Sequence, residues 1–80
     1  MFKVEKDKIK YQENDNTLGF IEFVYLDEQT IDIIHTFVEP IHRGKGIGKK
    51  LLEYTLNYFE EKGITVKYSC SYVKSKVQKK

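Results

Sequence analysis

Eighty residues suffice for one small core and exclude a second, since a domain of this size buries only about 60% of the surface its unfolded chain exposes. A single cysteine excludes an intramolecular disulfide framework, and no apolar run approaches the roughly 18 residues of a membrane helix. The formal net charge of +2, from 14 basic and 12 acidic residues, is too balanced to imply nucleic-acid binding by itself. No charged-then-apolar leader opens the chain. The expectation is one soluble, cytoplasmic domain over residues 1–80, with much of its core drawn from six Tyr and five Phe.

Residues 2–6 (FKVEK) alternate apolar and polar and are predicted as a short strand. Residues 8–13 (KIKYQE) repeat the pattern with Ile9 and Tyr11 on one face. NDN at 14–16 marks a turn, because Asn and Asp tolerate left-handed backbone and cap their own turns. Residues 17–26 (TLGFIEFVYL), rich in β-branched and aromatic side chains, form a long strand. After DEQ, residues 30–38 (TIDIIHTFV) put Ile31, Ile33, His35 and Phe37 on one face and Ile34 and Val38 on the other. A strand apolar on both faces belongs in the interior of a sheet. Four strands with short turns between them predict an antiparallel meander.

The period then changes. Ile47, Leu51, Tyr54 and Tyr58 form one row and Leu52, Leu56 and Phe59 a second beside it, the broad apolar stripe of a helix. Gly63 follows as its terminator. Residues 64–69 (ITVKYS) return to strand character, and the lysine-rich segment from Ser71, with Val73 and Val77 four apart, is predicted as a short C-terminal helix.

Between strand and helix lies VEPIHRGKGIGKKL, with three glycines (Gly44, Gly46, Gly48) in five residues. A glycine-rich loop opening a helix is an anion site. The first turn leaves N–H groups unpaired, the macrodipole adds positive charge, and glycine lets a phosphate approach the backbone. Arg43, Lys45, Lys49 and Lys50 add formal charge there, so a pyrophosphate is a natural guest. A P-loop requires G-x-x-x-x-G-K-[ST], but no Ser or Thr follows these lysines; a dinucleotide fingerprint requires G-x-G-x-x-G, but this loop reads Gly44-x-Gly46-x-Gly48. The run Arg43-Gly44-Lys45-Gly46-Ile47-Gly48 instead satisfies [QR]-x-x-G-x-[GA]. With Val38-Glu39-Pro40 before it and a long helix after it, the chain resembles the GCN5-related N-acetyltransferases. It is similar to their minimal single-domain members in carrying His35-Thr36 before the loop and Cys70 after the last strand. The likeness covers about residues 17 to 77. One departure is Phe37, where that subfamily commonly has a polar residue.

The resemblance implies an α+β fold: a mostly antiparallel sheet of about five strands, a central helix after the loop and a short C-terminal helix. It implies acetyl-CoA as donor and an amine as acceptor. The backbone of Phe37 and Val38 would hold the pantetheine arm like an added strand. The amides of Arg43, Gly44, Lys45, Gly46, Ile47 and Gly48 would hold the pyrophosphate, with Lys45 or Lys49 on outer phosphates. For His35 two readings stand: a core histidine bonded to a neighbour, or the base that takes a proton from the amine. His42 either helps with phosphates or faces solvent. Cys70 either lines the acetyl pocket or, at a strand end where a helix begins, acts as a thiolate nucleophile. Tyr68 or Tyr72 could protonate the departing thiolate. The rival to catalysis is an acyl-CoA-binding or protein-interaction module, completed by a partner or a second copy; nucleic acid, membrane and metal are not expected as partners.

Overall fold

The computed structural model describes residues 1–69. The strands are β1 (Phe2–Val4), β2 (Lys8–Glu13), β3 (Asn16–Asp27) and β4 (Thr30–Val38), followed by a 3-10 turn (Pro40–His42), helix α1 (Ile47–Glu61) and strand β5 (Thr65–Tyr68). They make one sheet in the order β1-β2-β3-β4-β5. The first four strands are the expected antiparallel meander, and α1 carries the chain over to β5, which pairs parallel with β4. The C-terminal helix expected from Ser71 lies outside the described residues, as does Cys70.

Local chemistry accounts for the turns. Asn14 and Asp15 both take left-handed backbone (φ 52° and 68°), the combination that matches the twist of a tight hairpin. At the far end of α1, Gly63 (φ 73°) donates its N–H to Glu60 O at 3.0 Å while Ile64 N–H reaches Phe59 O at 2.9 Å. That is a Schellman closure, as the glycine's position led one to expect.

The core lies between α1 and one sheet face. Ile9, Ile21, Ile31 and Ile33 from the sheet and Leu51 from the helix are fully buried, and Phe59 meets Phe23 edge-on at 5.0 Å. Of the two helical rows, Ile47, Leu51, Leu52 and Phe59 are buried, whereas Tyr54, Leu56 and Tyr58 are half-buried at its margin. Tyr54 stacks on Phe2 at 4.1 Å, which ties β1 to the helix.

Two irregularities set the walls of the site. Glycine at 19 allows β3 to approach both β4 and α1: a Cβ there would lie 2.7 Å from Phe37 O and 3.2 Å from Leu51 Cδ1. In β4, Glu22 pairs with His35 while Phe23 pairs with Ile33, so Ile34 is an extra residue, a β-bulge. The bulge reverses the alternation of side chains beyond it. The expectation that His35 shares the face of Ile31 and Ile33 is therefore corrected, and with it the reading of His35 as a core histidine. Gly19 faces α1, so its neighbour Phe20 faces away. Exposed His35 has its ring 6.1 Å from Phe20, and Phe37 has its ring 5.3 Å away, both on the face opposite the helix.

Candidate functional site

The loop between β4 and α1 begins with a braced turn. Pro40 presets the 3-10 backbone; His42 N–H then donates to Glu39 O at 2.8 Å, and Arg43 N–H to Pro40 O at 3.2 Å. Arg43 Nε donates to Val38 O at 3.1 Å, which fastens the loop to the strand it leaves. Gly44 (φ 83°) and Gly46 (φ 81°) then adopt left-handed backbone, and a Cβ on either would meet nothing within 4 Å. Both therefore face open space and need glycine for their conformation.

Gly46 is the N-cap of α1 and supplies no side-chain cap. The first ladder bond runs from Lys50 N–H to Gly46 O at 3.0 Å. The amides of Ile47, Gly48 and Lys49 precede it and have no intrahelical acceptor. No acidic residue occupies the first turn, so the positive end of the helix is not offset from within. Arg43, Lys45 and Lys49 are exposed and join no salt bridge among the described residues. Lys50 differs, because its ammonium lies over the Tyr11 ring, 5.9 Å from the centroid.

These groups surround a cleft of about 570 Å³, lined by Thr36 and Val38 of β4, by residues 42–44 and by residues 46–49. Seven expected ligand residues thus come together: Val38, Arg43, Gly44, Gly46, Ile47, Gly48 and Lys49. Lys45 belongs to the same loop but not to the lining. Phe37 does not line the cleft, and its carbonyl points toward Gly19 on β3. Alternation then sends the backbone of Val38 toward the opposite edge, so of the two expected strand partners Val38 is the one on the cleft side. Among the described residues β5 pairs with that edge only as far as Ile33, and β4 continues through residues 34–38 past the described end of β5. Ser69 closes the paired part: its N–H reaches Ile33 O at 3.0 Å and Asp32 Oδ1 at 2.9 Å, and its hydroxyl reaches Asp32 Oδ2 at 2.7 Å. Val38 retains acceptor capacity, since a carbonyl has two lone pairs and Arg43 uses one.

His35 is not brought to the cleft, and Cys70 lies outside the described residues. Thr36 lines the cleft unanticipated, because only the bulge turns it there, and a bulge is a property of pairing rather than of one strand's pattern. Tyr68 is half-buried against the core. No helix among the described residues is long and apolar enough to cross a membrane.

A family model described as GCN5-related N-acetyl-transferase matches residues 6–80. The chain belongs to the GCN5-related N-acetyltransferase family. Among solved structures, a GCN5-like protein from Staphylococcus aureus, determined by NMR, is 30% identical with a TM-score of 0.78; the match covers 99% of this chain and 78% of that one. An N-acetyltransferase encoded in the lysA 3′ region of Bacillus methanolicus is 27% identical over 63 residues, 76% of this chain. This chain spans about half of that relative, 52%. PaiA N-acetyltransferase of Thermoplasma acidophilum, solved with coenzyme A, shares the fold at 24% identity and a TM-score of 0.63, over 71% of this chain and 35% of its own. The family's α+β architecture, a mostly antiparallel five-stranded sheet with its helix after the loop, is the one described above.

Proposed function

We propose that this family member binds acetyl-CoA in the loop cleft and transfers the acetyl group to an amine. The observation that carries the reading is the uncapped start of α1 at left-handed Gly46, with the Ile47, Gly48 and Lys49 amides beside Arg43 on one cleft wall. A diphosphate fits this chemistry: amide donors, a helix N-terminus and cations without acidic partners. The Val38 backbone, which lines the cleft on the side of β4 away from β3, suits an extended amide-bearing arm, which would add to the sheet as a short strand does. Val38 would bond that arm, and Thr36 and Ile47 would flank it.

Transfer joins the amine nitrogen to the thioester carbonyl carbon and breaks the carbon–sulfur bond. The sulfur leaves with the electron pair and takes up a proton, while the nitrogen gives one up. The chain's main contribution is to hold the donor in register, which makes the step effectively intramolecular. His35, exposed on the face away from α1, is the proposed base for an amine arriving from that side. Cys70 follows the pinned Ser69 in sequence, and both of its roles, lining or nucleophile, belong to this proposal. A cytoplasmic location and a partner completing the acceptor side belong to it as well.

The second reading is acyl-CoA binding without transfer. It is favoured by the open face around His35 and Phe20, over which the described residues place no helix. The test is calorimetric titration with acetyl-CoA, followed by a screen of amines and peptides for CoA release. Arg43→Glu should weaken acetyl-CoA binding by on the order of tenfold or more, from loss of charge-assisted bonds. Unchanged affinity in that variant would remove the cofactor assignment. Binding with no turnover on any acceptor would leave the second reading standing.

A further inference from the structure

Strand β1 is the edge of the sheet opposite β5, and its bonds to β2 show which backbone groups are spare. The Met1 amino group donates to Gln12 O at 3.0 Å, Gln12 N–H returns a bond to Met1 O at 2.7 Å, and Glu5 N–H reaches Lys8 O at 2.7 Å. Bonded positions alternate in an antiparallel ladder, so residues 1, 3 and 5 face β2. The N–H and C=O of Phe2 and Val4 therefore point outward, where no described residue pairs with them. The edge is held in place: Phe2 stacks on Tyr54 at 4.1 Å and meets Tyr11 edge-on at 5.1 Å. Val4, the strand partner of buried Ile9, is 36% exposed at the margin of the core. On the other face Lys3 is exposed, and the Glu5 carboxylate lies 3.2 Å from the Lys10 ammonium.

We propose that this edge pairs with β1 of a second copy of the chain, antiparallel about a two-fold axis at Val4. Charges on an edge strand ordinarily turn another edge away. Here their order reverses that effect. Lys3 and Glu5 flank Val4 symmetrically, so the axis sets Lys3 against Glu5 of the second copy, and Glu5 against its Lys3. Both pairs fall at non-hydrogen-bonded positions, where side chains come closest. The two Val4 residues exchange both outward bonds, and their exposed side chains meet on the helix side. An axis at Lys3 would instead bring two lysines face to face, and a parallel arrangement would align like with like. Glu5 then lies between Lys10 of its own chain and Lys3 of the other, so neither contact is given up. Strands this short bury little area, which makes the dimer a weak one. The proposal does not depend on the acetyl-CoA reading, because no residue of β1 lines the loop cleft.

The test is sedimentation equilibrium of the full chain from about 10 μM to 1 mM, with exchange of individual amides followed by NMR. A dimer should form within that range and weaken as salt is added. The Val4 amide should gain protection as concentration rises, while the Lys3 amide, bonded to β2 in either state, stays constant. Lys3→Glu and Glu5→Lys should each weaken the dimer about tenfold, because each turns two attractive cross-strand pairs into repulsive ones. The double variant Lys3→Glu/Glu5→Lys should restore it. That variant also keeps an acid beside Lys10, whose strand partner is residue 3. A chain that stays monomeric throughout overturns the proposal. So does a dimer that leaves Val4 unprotected, that survives both single changes, or that the double variant fails to restore, since its contacts then lie elsewhere.

Discussion

Replacing Gly19 by alanine tests whether the close approach of β3 to β4 and α1 holds the cleft together. The added methyl would sit 2.7 Å from Phe37 O, 3.2 Å from Leu51 Cδ1 and 3.4 Å from Ile47 Cγ2. The first contact is with backbone, which cannot swing aside as a side chain does, so β4 must move relative to β3 or the helix must lift. Overpacking of this kind costs about 1–3 kcal/mol. Alanine partly offsets this by removing the glycine's entropic disadvantage within a strand, about 0.5–1 kcal/mol. Because the contact is with backbone the upper part of that range applies, about 2–3 kcal/mol, and the net loss is about 1–2.5 kcal/mol, which for a domain of this size lowers Tm by roughly 4–20 °C. Val38, the strand partner of Gly19, and Ile47, 3.4 Å from the added methyl, both line the cleft, so the displacement should weaken acetyl-CoA as well. Thermal unfolding followed by circular dichroism measures the first effect and calorimetry the second. A Tm within about 2 °C of wild type would refute the steric argument, since nothing else at this position offsets a clash with backbone.

Three further outcomes follow from other sites. Thr55 is fully buried and its Oγ1 has no hydrogen-bond partner among the described residues, so Thr55→Val, which keeps the shape and deletes the hydroxyl, should raise stability by about 1 kcal/mol in urea titration. Gly63→Ala forces a Cβ into left-handed backbone with open space around it and should lose about 1 kcal/mol; Gly63→Asn should lose less. Lys49→Gln should leave stability within about 0.5 kcal/mol, because the lost cation opposed the helix dipole, yet should weaken acetyl-CoA severalfold and flatten the salt dependence of binding.

Most of the fold was legible because periodicity carried it. Strands alternated, the helix showed its stripe, and Asn14-Asp15 and Gly63 each advertised the backbone they adopt. The backbone of the glycine loop was legible for a related reason: the spacing of Gly44 and Gly46 after Arg43 expresses a local need for left-handed backbone, and local needs are written in adjacent residues. The misplacement of His35 came from non-local geometry. Strict alternation from Ile31 puts His35 inward, and only the pairing of β4 with β3 reveals that Ile34 is supernumerary. The same bulge hid Thr36, now a wall of the cleft. Gly19 carried a readable signal, a glycine inside an otherwise bulky strand, which marks close backbone approach. Its partners, Phe37 and Leu51, lie too far along the chain for the sequence to name them.

The two ends of α1 follow opposite logic. Its C-terminus is closed as stability alone would have it, with Gly63 and Ile64 amides on the last-turn carbonyls. Its N-terminus breaks the corresponding rules. Stability would place Ser, Thr, Asp or Asn at the cap and an acid in the first turn. The chain instead has Gly46, with no side chain to cap, and Lys49 and Lys50 where the dipole already presents positive charge. Each choice costs a few tenths of a kcal/mol or more in the free protein. Local inconsistency of this kind, confined to one end of an otherwise regular helix, is how a binding site differs from a connector. On the proposed reading, an anion bound there would supply both the missing cap and the missing negative charge. Its binding free energy would then add directly to folding, so an anion that binds there should raise stability by about 2.7 kcal/mol at a hundredfold excess over Kd, measured by thermal unfolding.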